Sequence, residues 1–302
     1  MNYAIETIDL TKSFRKENAV QGLNLAVPYN GIYGFLGPNG AGKTTTIKMI
    51  MNILNPTSGR AVVLGVPSHK LGPTDILQMG YVSENQDIPE WMTVKYFLDY
   101  CRTMYPEWDD KFCQDLVVQF DLPLHRKLRE LSRGMKMKAS LISALAYRPK
   151  LLILDEPFSG LDSLVRDELI SGFLEITRDQ DWTIFISSHD LDEVERLADW
   201  VGIIDHAQLK IQEETSSLIH RFKRIEVTLD SPSSGTEKLP ELWLLPKVEQ
   251  TRVTFVDSHY QTGETESKVK ELYPQTKNIQ VLPQTLKEIF VALARQYKIT
   301  KL

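Results

Sequence analysis

Residues 34–46 read GFLGPNGAGKTTT, and no other stretch restricts so tightly what this chain can fold into. Glycine loses more backbone freedom on folding than any other residue, so a glycine cluster ahead of a helix-like run needs a local use. Gly37, Gly40 and Gly42, followed by Lys43 and Thr44, supply one. A glycine turn between a strand and a helix aims successive backbone N–H groups at phosphate oxygens, and the helix N-terminus adds partial positive charge. The spacing G-x-x-x-x-G-K-T brings the Lys43 ammonium to the β- and γ-phosphates and the Thr44 hydroxyl to a Mg2+ ion. The flanks agree: GIYGFLG is a short apolar strand, and KTTTIKMIMNIL reads as a helix running to Asn55-Pro56. Gly37, Pro38, Asn39, Gly40, Ala41, Gly42, Lys43, Thr44 and Thr45 therefore form a candidate nucleotide site.

A second motif supplies carboxylates. LLILDEP (151–157) is a continuous apolar strand ending in two acids. Asp155, at the strand's C-terminal edge, is placed to hold Mg2+ directly or indirectly. Glu156 faces the attacking water as a general base.

The rest of the chain sets bounds on the function. A length of 302 residues fits one large domain, or a medium one with a small companion. A net charge of −5 disfavours a nucleic-acid backbone as partner. Cys101 and Cys113 match no metal motif and make no disulfide framework, so they read as small buried hydrophobes in a reducing compartment. No signal peptide and no 18-residue apolar window is visible, so membrane association is expected through a partner.

Alternating strands open the chain (YAIETIDLTKSF, AVQGLNLAVPY), and GRAVVLG and ILQMGYVS read as further strands. Residues 87–148 switch to helical periodicity. Apolar strands and helices then alternate, which predicts a buried parallel sheet. From residue 222 the style changes to a small α+β segment: strands RIEVTLD and TRVTFVDS, the turn-rich stretch 231–240, a helix near 265–273 and a final helix LKEIFVALARQY.

Between the two motifs lies LSRGMKMK (131–138), and after them come SGLD (159–162) and ISSHD (186–190). This set, in this order, resembles the nucleotide-binding subunit of the ATP-binding cassette family over roughly residues 3–220. The resemblance implies a P-loop α/β core (1–220) with an antiparallel β subdomain and a helical subdomain at about 87–148, followed by a small α+β appendage (222–302). It implies ATP and Mg2+ as cofactors and a second cassette as partner, the same chain or a different one, each subunit completing the other's site. Phe14 matches the aromatic that stacks on adenine, and Gln86 the glutamine that touches Mg2+ or water. Ser132 and Gly134 match the signature that binds the partner-held γ-phosphate, Asp162 the loop at the dimer interface, and His189 the histidine on the γ-phosphate. The usual signature is L-S-G-G-Q; Arg133 and Met135 depart from it, which puts affinity and dimer lifetime in question.

The expected function is ATP hydrolysis that drives separate membrane-spanning permease subunits, with the chain peripheral on the inner face of the cell membrane. The aromatic stretch 87–108 either anchors a permease or packs the helical block's own core. The signature variant, YPEWDD and LPQTLKEIFVALAR resemble ATPase subunits of bacterial ABC-2-type exporters, so export is expected over import. Two other readings compete with this one. A soluble cassette ATPase in translation or nucleic-acid repair would more often carry twin cassettes, zinc motifs or coiled-coil insertions, and the acidic charge argues against it. A non-hydrolysing regulatory cassette would damage Glu156 or His189, and both are intact.

Overall fold

The computed structural model describes residues 3–15, 17–84, 86–177, 181–233 and 239–296, with side chains to 294. Residues 234–238 of the turn-rich stretch, Asn85 and Tyr297 of the expected last helix lie outside the described residues. Two compact units divide the chain, Met1–Gln212 and Glu213–Leu302.

The first unit is built on a six-stranded sheet in the order Gln208–Glu214, Trp200–Asp205, Gly31–Leu36, Thr183–Ser188, Leu151–Asp155, Met79–Ser83. The last five run parallel. Parallel strands covered on both faces read as continuous apolar runs, and Leu151–Asp155 and Thr183–Ser188 are buried throughout. Tyr33 stacks on Phe185 with ring centroids 5.7 Å apart, and Phe35 sits 5.4 Å from the same ring. A second, antiparallel sheet joins Glu17–Leu23, Tyr3–Phe14, Ser58–Val63 and Val66–Pro67, with Ala26–Pro28 also paired to Tyr3–Phe14. The two sheets and helix Lys43–Ile50 share one apolar core that includes Ile5, Leu10, Phe35, Ile47, Met49 and Ile153. That shared core fixes the phosphate loop, because the helix leaving the loop is clamped between the sheets.

The helical block contains Val94–Arg102, Asp110–Gln119 and Arg133–Leu145. Each starts at a side-chain cap: Thr93 accepts from Tyr96 N–H at 3.2 Å, Asp109 from Phe112 N–H at 2.9 Å and Ser132 from Met135 N–H at 3.3 Å. Helices Ser163–Thr177 and Leu191–Leu197 complete the unit's principal layers.

The helix after the phosphate loop ends earlier than its sequence suggests, at Ile50. Asn52 takes φ +59°, and Ile53 and Leu54 N–H both donate to Lys48 C=O at 2.8 and 3.0 Å. Asparagine tolerates the left-handed conformation that closes a helix this way, so it stops the helix before Pro56 does. The strand expected over ILQMGYVS begins only at Met79, because Pro73–Ile76 forms a short helix entered through Pro73.

The second unit is an antiparallel sheet in the order Trp243–Glu249, Arg252–Asp257, Lys223–Leu229, Thr276–Pro283. Helices Thr215–Arg221, Glu264–Leu272 and Leu286–Gln296 accompany it. Its core gathers Ile225, Val227, Val253, Val269 and Tyr273 around Trp243 stacked on Phe255, centroids 3.9 Å apart. Strands Trp243–Glu249 and Thr276–Pro283 were not anticipated: Pro246 and exposed polar positions mask their alternation, which befits the two edges they occupy.

Candidate nucleotide site

Strand Gly31–Leu36 delivers the chain into the phosphate loop. Gly42 sits at φ +111°, and a Cβ there would overlap the Ala19 carbonyl, so the turn admits only glycine. Gly42 is also the cap position of helix Lys43–Ile50, with no side-chain cap bond and no acidic residue in the first turn. The first N–H groups of a helix have no partner within it. Here they open, with the dipole's positive end, into a cavity of about 230 Å3 lined by Ala19, Asn39, Gly40, Gly42, Lys43, Thr44, Thr45, Glu84 and Glu156. Gly37 and Ala41 are buried beneath it; Ala41 N–H donates to Pro38 C=O at 3.1 Å.

Lys43 is almost wholly buried, and its ammonium donates to Gly37 C=O at 2.6 Å and Pro38 C=O at 3.3 Å. It also lies 3.0 Å from Glu156 Oε1 as an ion pair, off the line of a true hydrogen bond. Thr44 Oγ1 donates to Asp155 Oδ1 at 3.2 Å, and Ser187 Oγ donates to the same oxygen at 2.6 Å. A hydroxyl and a carboxylate held together at the loop suit Mg2+, which is bound by one or two protein oxygens, waters and substrate phosphate rather than by a full protein cage.

Glu156 stands in the left-handed region at φ +54°, strain that a non-glycine residue keeps only where the surroundings impose it. Its N–H is held by Ser187 C=O at 3.2 Å and Ser187 Oγ at 3.1 Å. The side chain turns toward the loop, and Oε2 lies 2.7 Å from His189 Nδ1. His189 is positioned by its neighbours: Ser188 closes the parallel strand, and Asp190 caps the next helix, accepting from Asp192 N–H at 2.9 Å. Behind them Glu193, buried, accepts from Ser188 Oγ at 2.7 Å, with Arg166 Nε 3.5 Å away. Burial pushes the Glu193 carboxyl up to about 7. Nothing in the residue pattern of DLDEVERL marks Glu193 as inward-facing.

The structure thus brings Lys43, Thr44, Asp155, Glu156 and His189 together. Gln86 lines a neighbouring cavity of about 170 Å3 together with Glu84, Glu90, Arg133 and Lys136, and does not line the phosphate-loop cavity. The residue that reaches the phosphate loop is Glu84. Register explains this: Ser83 pairs with Asp155, and Glu84 N–H donates to Asp155 C=O at 3.0 Å, so the first residue past the strand faces the loop.

Phe14 lies at the end of its strand, 49% exposed, with Lys12 Nζ 5.2 Å from its ring centroid. Ser132, Gly134 and Asp162 do not line the cavity of their own chain. Ser132 caps its helix on an exposed face. Asp162 caps Ser163–Thr177, accepting from Val165 N–H at 3.0 Å. Gly134 is buried against that helix, and a Cβ there would come 2.5 Å from Val165 Cγ1.

A family model described as ABC transporter matches residues 20–159, and one described as AAA domain, putative AbiEii toxin, Type IV TA system matches 124–195. The chain is 28% identical over 289 residues to the ABC transporter ATP-binding protein YtrB of Bacillus subtilis, covering 95% of this chain and 97% of that protein. It is 35% identical over 211 residues to the bacitracin transport ATP-binding protein BcrA of Bacillus licheniformis, covering 69% of each. A solved ATP-binding subunit of an ABC transporter superposes with TM-score 0.65 at 26% identity, covering 72% of this chain and 92% of that one. The structure of cbiO1 from Clostridium perfringens, part of the ABC transporter complex cbiONQ, shares the fold with TM-score 0.63 at 23% identity, covering 73% of this chain and 92% of that one. The chain belongs to the ATP-binding subunits of ABC transporters.

Proposed function

We propose that this ATPase hydrolyses magnesium–ATP with Glu156 as general base, and that it drives export through separate membrane-spanning subunits. The observation that carries the reading is the convergence of Lys43, Thr44, Asp155, Glu156 and His189 on one glycine loop at a helix N-terminus. Lys43, moving off the Gly37 and Pro38 carbonyls, binds the β- and γ-phosphate oxygens, while the loop's N–H groups hold the remaining charge. Thr44 and Asp155 hold Mg2+, which neutralises phosphate charge when bound. Glu156 takes the proton of the attacking water as it adds to the γ-phosphorus, the bond from that phosphorus to the β,γ-bridging oxygen breaks so that ADP leaves, and His189, in contact with Glu156, orients it and donates toward the phosphate. Phe14 stacks on adenine.

Ser132, Gly134 and Asp162 lie outside this cavity, so they act on the nucleotide of a second cassette, identical or homologous. Separate permease partners at the membrane's inner face carry the transport; among the described residues no helix is long and apolar enough to cross a membrane. The bacitracin transport name of one relative supports the transport reading. The test is affinity purification of the tagged chain from gently solubilised native membranes, followed by ATPase assay. A stoichiometric multi-span protein whose presence changes the ATPase rate is expected. A purified complex of ribosomal or DNA-repair proteins, with no membrane protein, would overturn the transport reading.

A further inference from the structure

Helix Val94–Arg102 has two faces, and the chain packs only one of them. Val94, Phe97 and Leu98 are buried, whereas Trp91, Tyr96, Tyr100 and Met104 are 48–63% exposed. Tyr96, Tyr100 and Met104 follow one another at four-residue spacing, which lines them up on one side of a helix. Met104 N–H donates to Cys101 C=O at 2.9 Å, so the chain keeps turning past Arg102 and carries Met104 with it. Trp91 joins the row, its ring centroid 5.8 Å from that of Tyr96. Single exposed apolar residues need no explanation, but a contiguous row does.

A basic segment runs beside this row. Residues 123–129 read PLHRKLR, which holds Arg126, Lys127 and Arg129 and no acid. The segment is hydrogen-bonded to the residues that lead into the helix. Leu128 N–H donates to Met92 C=O at 2.9 Å, Arg129 N–H to Glu90 C=O at 3.0 Å, and Val94 N–H to Arg126 C=O at 3.0 Å. Arg126, Lys127 and Arg129 are exposed, and the neighbouring acids are engaged elsewhere. Glu90 pairs with Lys136 and Asp99 with Lys95, while Glu130 Oε2 accepts from Lys127 N–H at 3.3 Å. A chain with a net charge of −5 thus places a cluster of cations beside exposed aromatics.

Tryptophan and tyrosine, with apolar rings and polar tips, settle where hydrocarbon meets water, and lysine and arginine are drawn to anionic headgroups. The groove of about 400 Å3 beside the helix, which would suit an apolar protein segment, is lined by Leu98, Arg102, Trp108 and Val117 and not by the row. We propose that this face rests directly on the anionic surface of a lipid bilayer. Trp91, Tyr96, Tyr100 and Met104 enter the headgroup layer, and Arg126, Lys127 and Arg129 meet lipid phosphates. The contact belongs to this chain alone and holds without a permease.

The test is co-sedimentation of the purified full chain with protein-free vesicles of phosphatidylcholine, with and without phosphatidylglycerol. Binding is expected only where phosphatidylglycerol is present, and it should fade as salt is raised. Lys127→Gln and Arg129→Gln should each weaken it about fivefold, and Trp91→Ser about tenfold. Lys210→Gln removes a cation from the strand at the opposite edge of the six-stranded sheet and should change nothing. ATP hydrolysis in solution, unaltered in all four variants, shows that they fold. Equal sedimentation with both vesicle types, or a loss with Lys210→Gln as large as with Lys127→Gln, would overturn the proposal. Binding to native membranes but not to protein-free anionic vesicles would give the face to a protein partner and overturn it too. Each of these results leaves the ATPase and transport readings intact.

Discussion

Gly134 sits in the signature, and its environment turns a question about function into one about volume. Its ideal Cβ would lie 2.5 Å from Val165 Cγ1 but 3.8 Å from Val165 Cβ and 3.9 Å from Leu161 Cδ2. Replacing glycine by alanine inside a helix gains about 1 kcal/mol in propensity. Forcing a methyl into a packed interface costs about 1–3 kcal/mol. For Gly134→Ala the clash should win, a net loss of about 1 kcal/mol. Val165→Ala deletes the one atom in the way. In that background Gly134→Ala should change sign and stabilise by up to about 1 kcal/mol. Urea unfolding of the four chains measures the cycle. A stabilising Gly134→Ala in the wild-type background, or a cycle that closes additively, would refute the steric account. ATPase assays on the double variant then separate the two demands on this glycine. Recovery of activity with stability would mean Gly134 is needed only for packing. Continued inactivity in a stable chain would mean the backbone at 134 itself meets phosphate, as proposed.

Three further outcomes are expected. Glu193 holds a proton to about pH 7 because burial raises its carboxyl from its ordinary value of 4.5. Between those values the folded chain binds a proton that the unfolded chain has released, so stability falls as pH rises, by up to about 3 kcal/mol across the window. Glu193→Gln should flatten that slope in pH-dependent denaturation, and an unchanged slope would contradict it. Burial lifts both thiols, Cys101 and Cys113, to about 11. On the order of one thiolate in a thousand exists at pH 8, so iodoacetamide should label the folded chain far more slowly than the denatured one. Lys43→Ala removes charge-assisted bonds to phosphate worth about 1.5–3 kcal/mol, weakening ATP binding roughly ten- to a hundredfold; unaltered affinity in a titration would count against the phosphate-loop assignment.

What the sequence made legible was local. Gly37 to Thr44 act through consecutive backbone groups, so their spacing alone described the cradle. LLILDEP announced a buried strand because a strand covered on both faces has no polar side to show, and its two acids ended up where their order placed them, beside Thr44 and His189. The expected α/β architecture, with an antiparallel sheet and a helical block, followed from the change of periodicity along the chain.

What stayed hidden depended on register and on partners distant in sequence. Gln86 and Glu84 differ by two positions, and only the pairing of Ser83 with Asp155 decides which one faces the loop. Glu193 lies in a helix whose apolar residues are Leu191, Val194 and Leu197, yet it is buried with them and meets Ser188. The link between Arg133 and Glu84 spans 49 residues, and neither side chain predicts the other. Asn52 did carry a stop signal for its helix, but Pro56, the louder one, drew the boundary too far. In the second unit the two edge strands lacked the alternation that a strand buried on one face would show.

The central claim is that Glu156 performs the base chemistry on a cradle that binds ATP without it. The most direct measurement is ATP binding and phosphate release by Glu156→Gln, side by side with wild type. The account predicts affinity within about threefold of wild type and hydrolysis slower by about a hundredfold or more. Brisk phosphate release by the variant would contradict it.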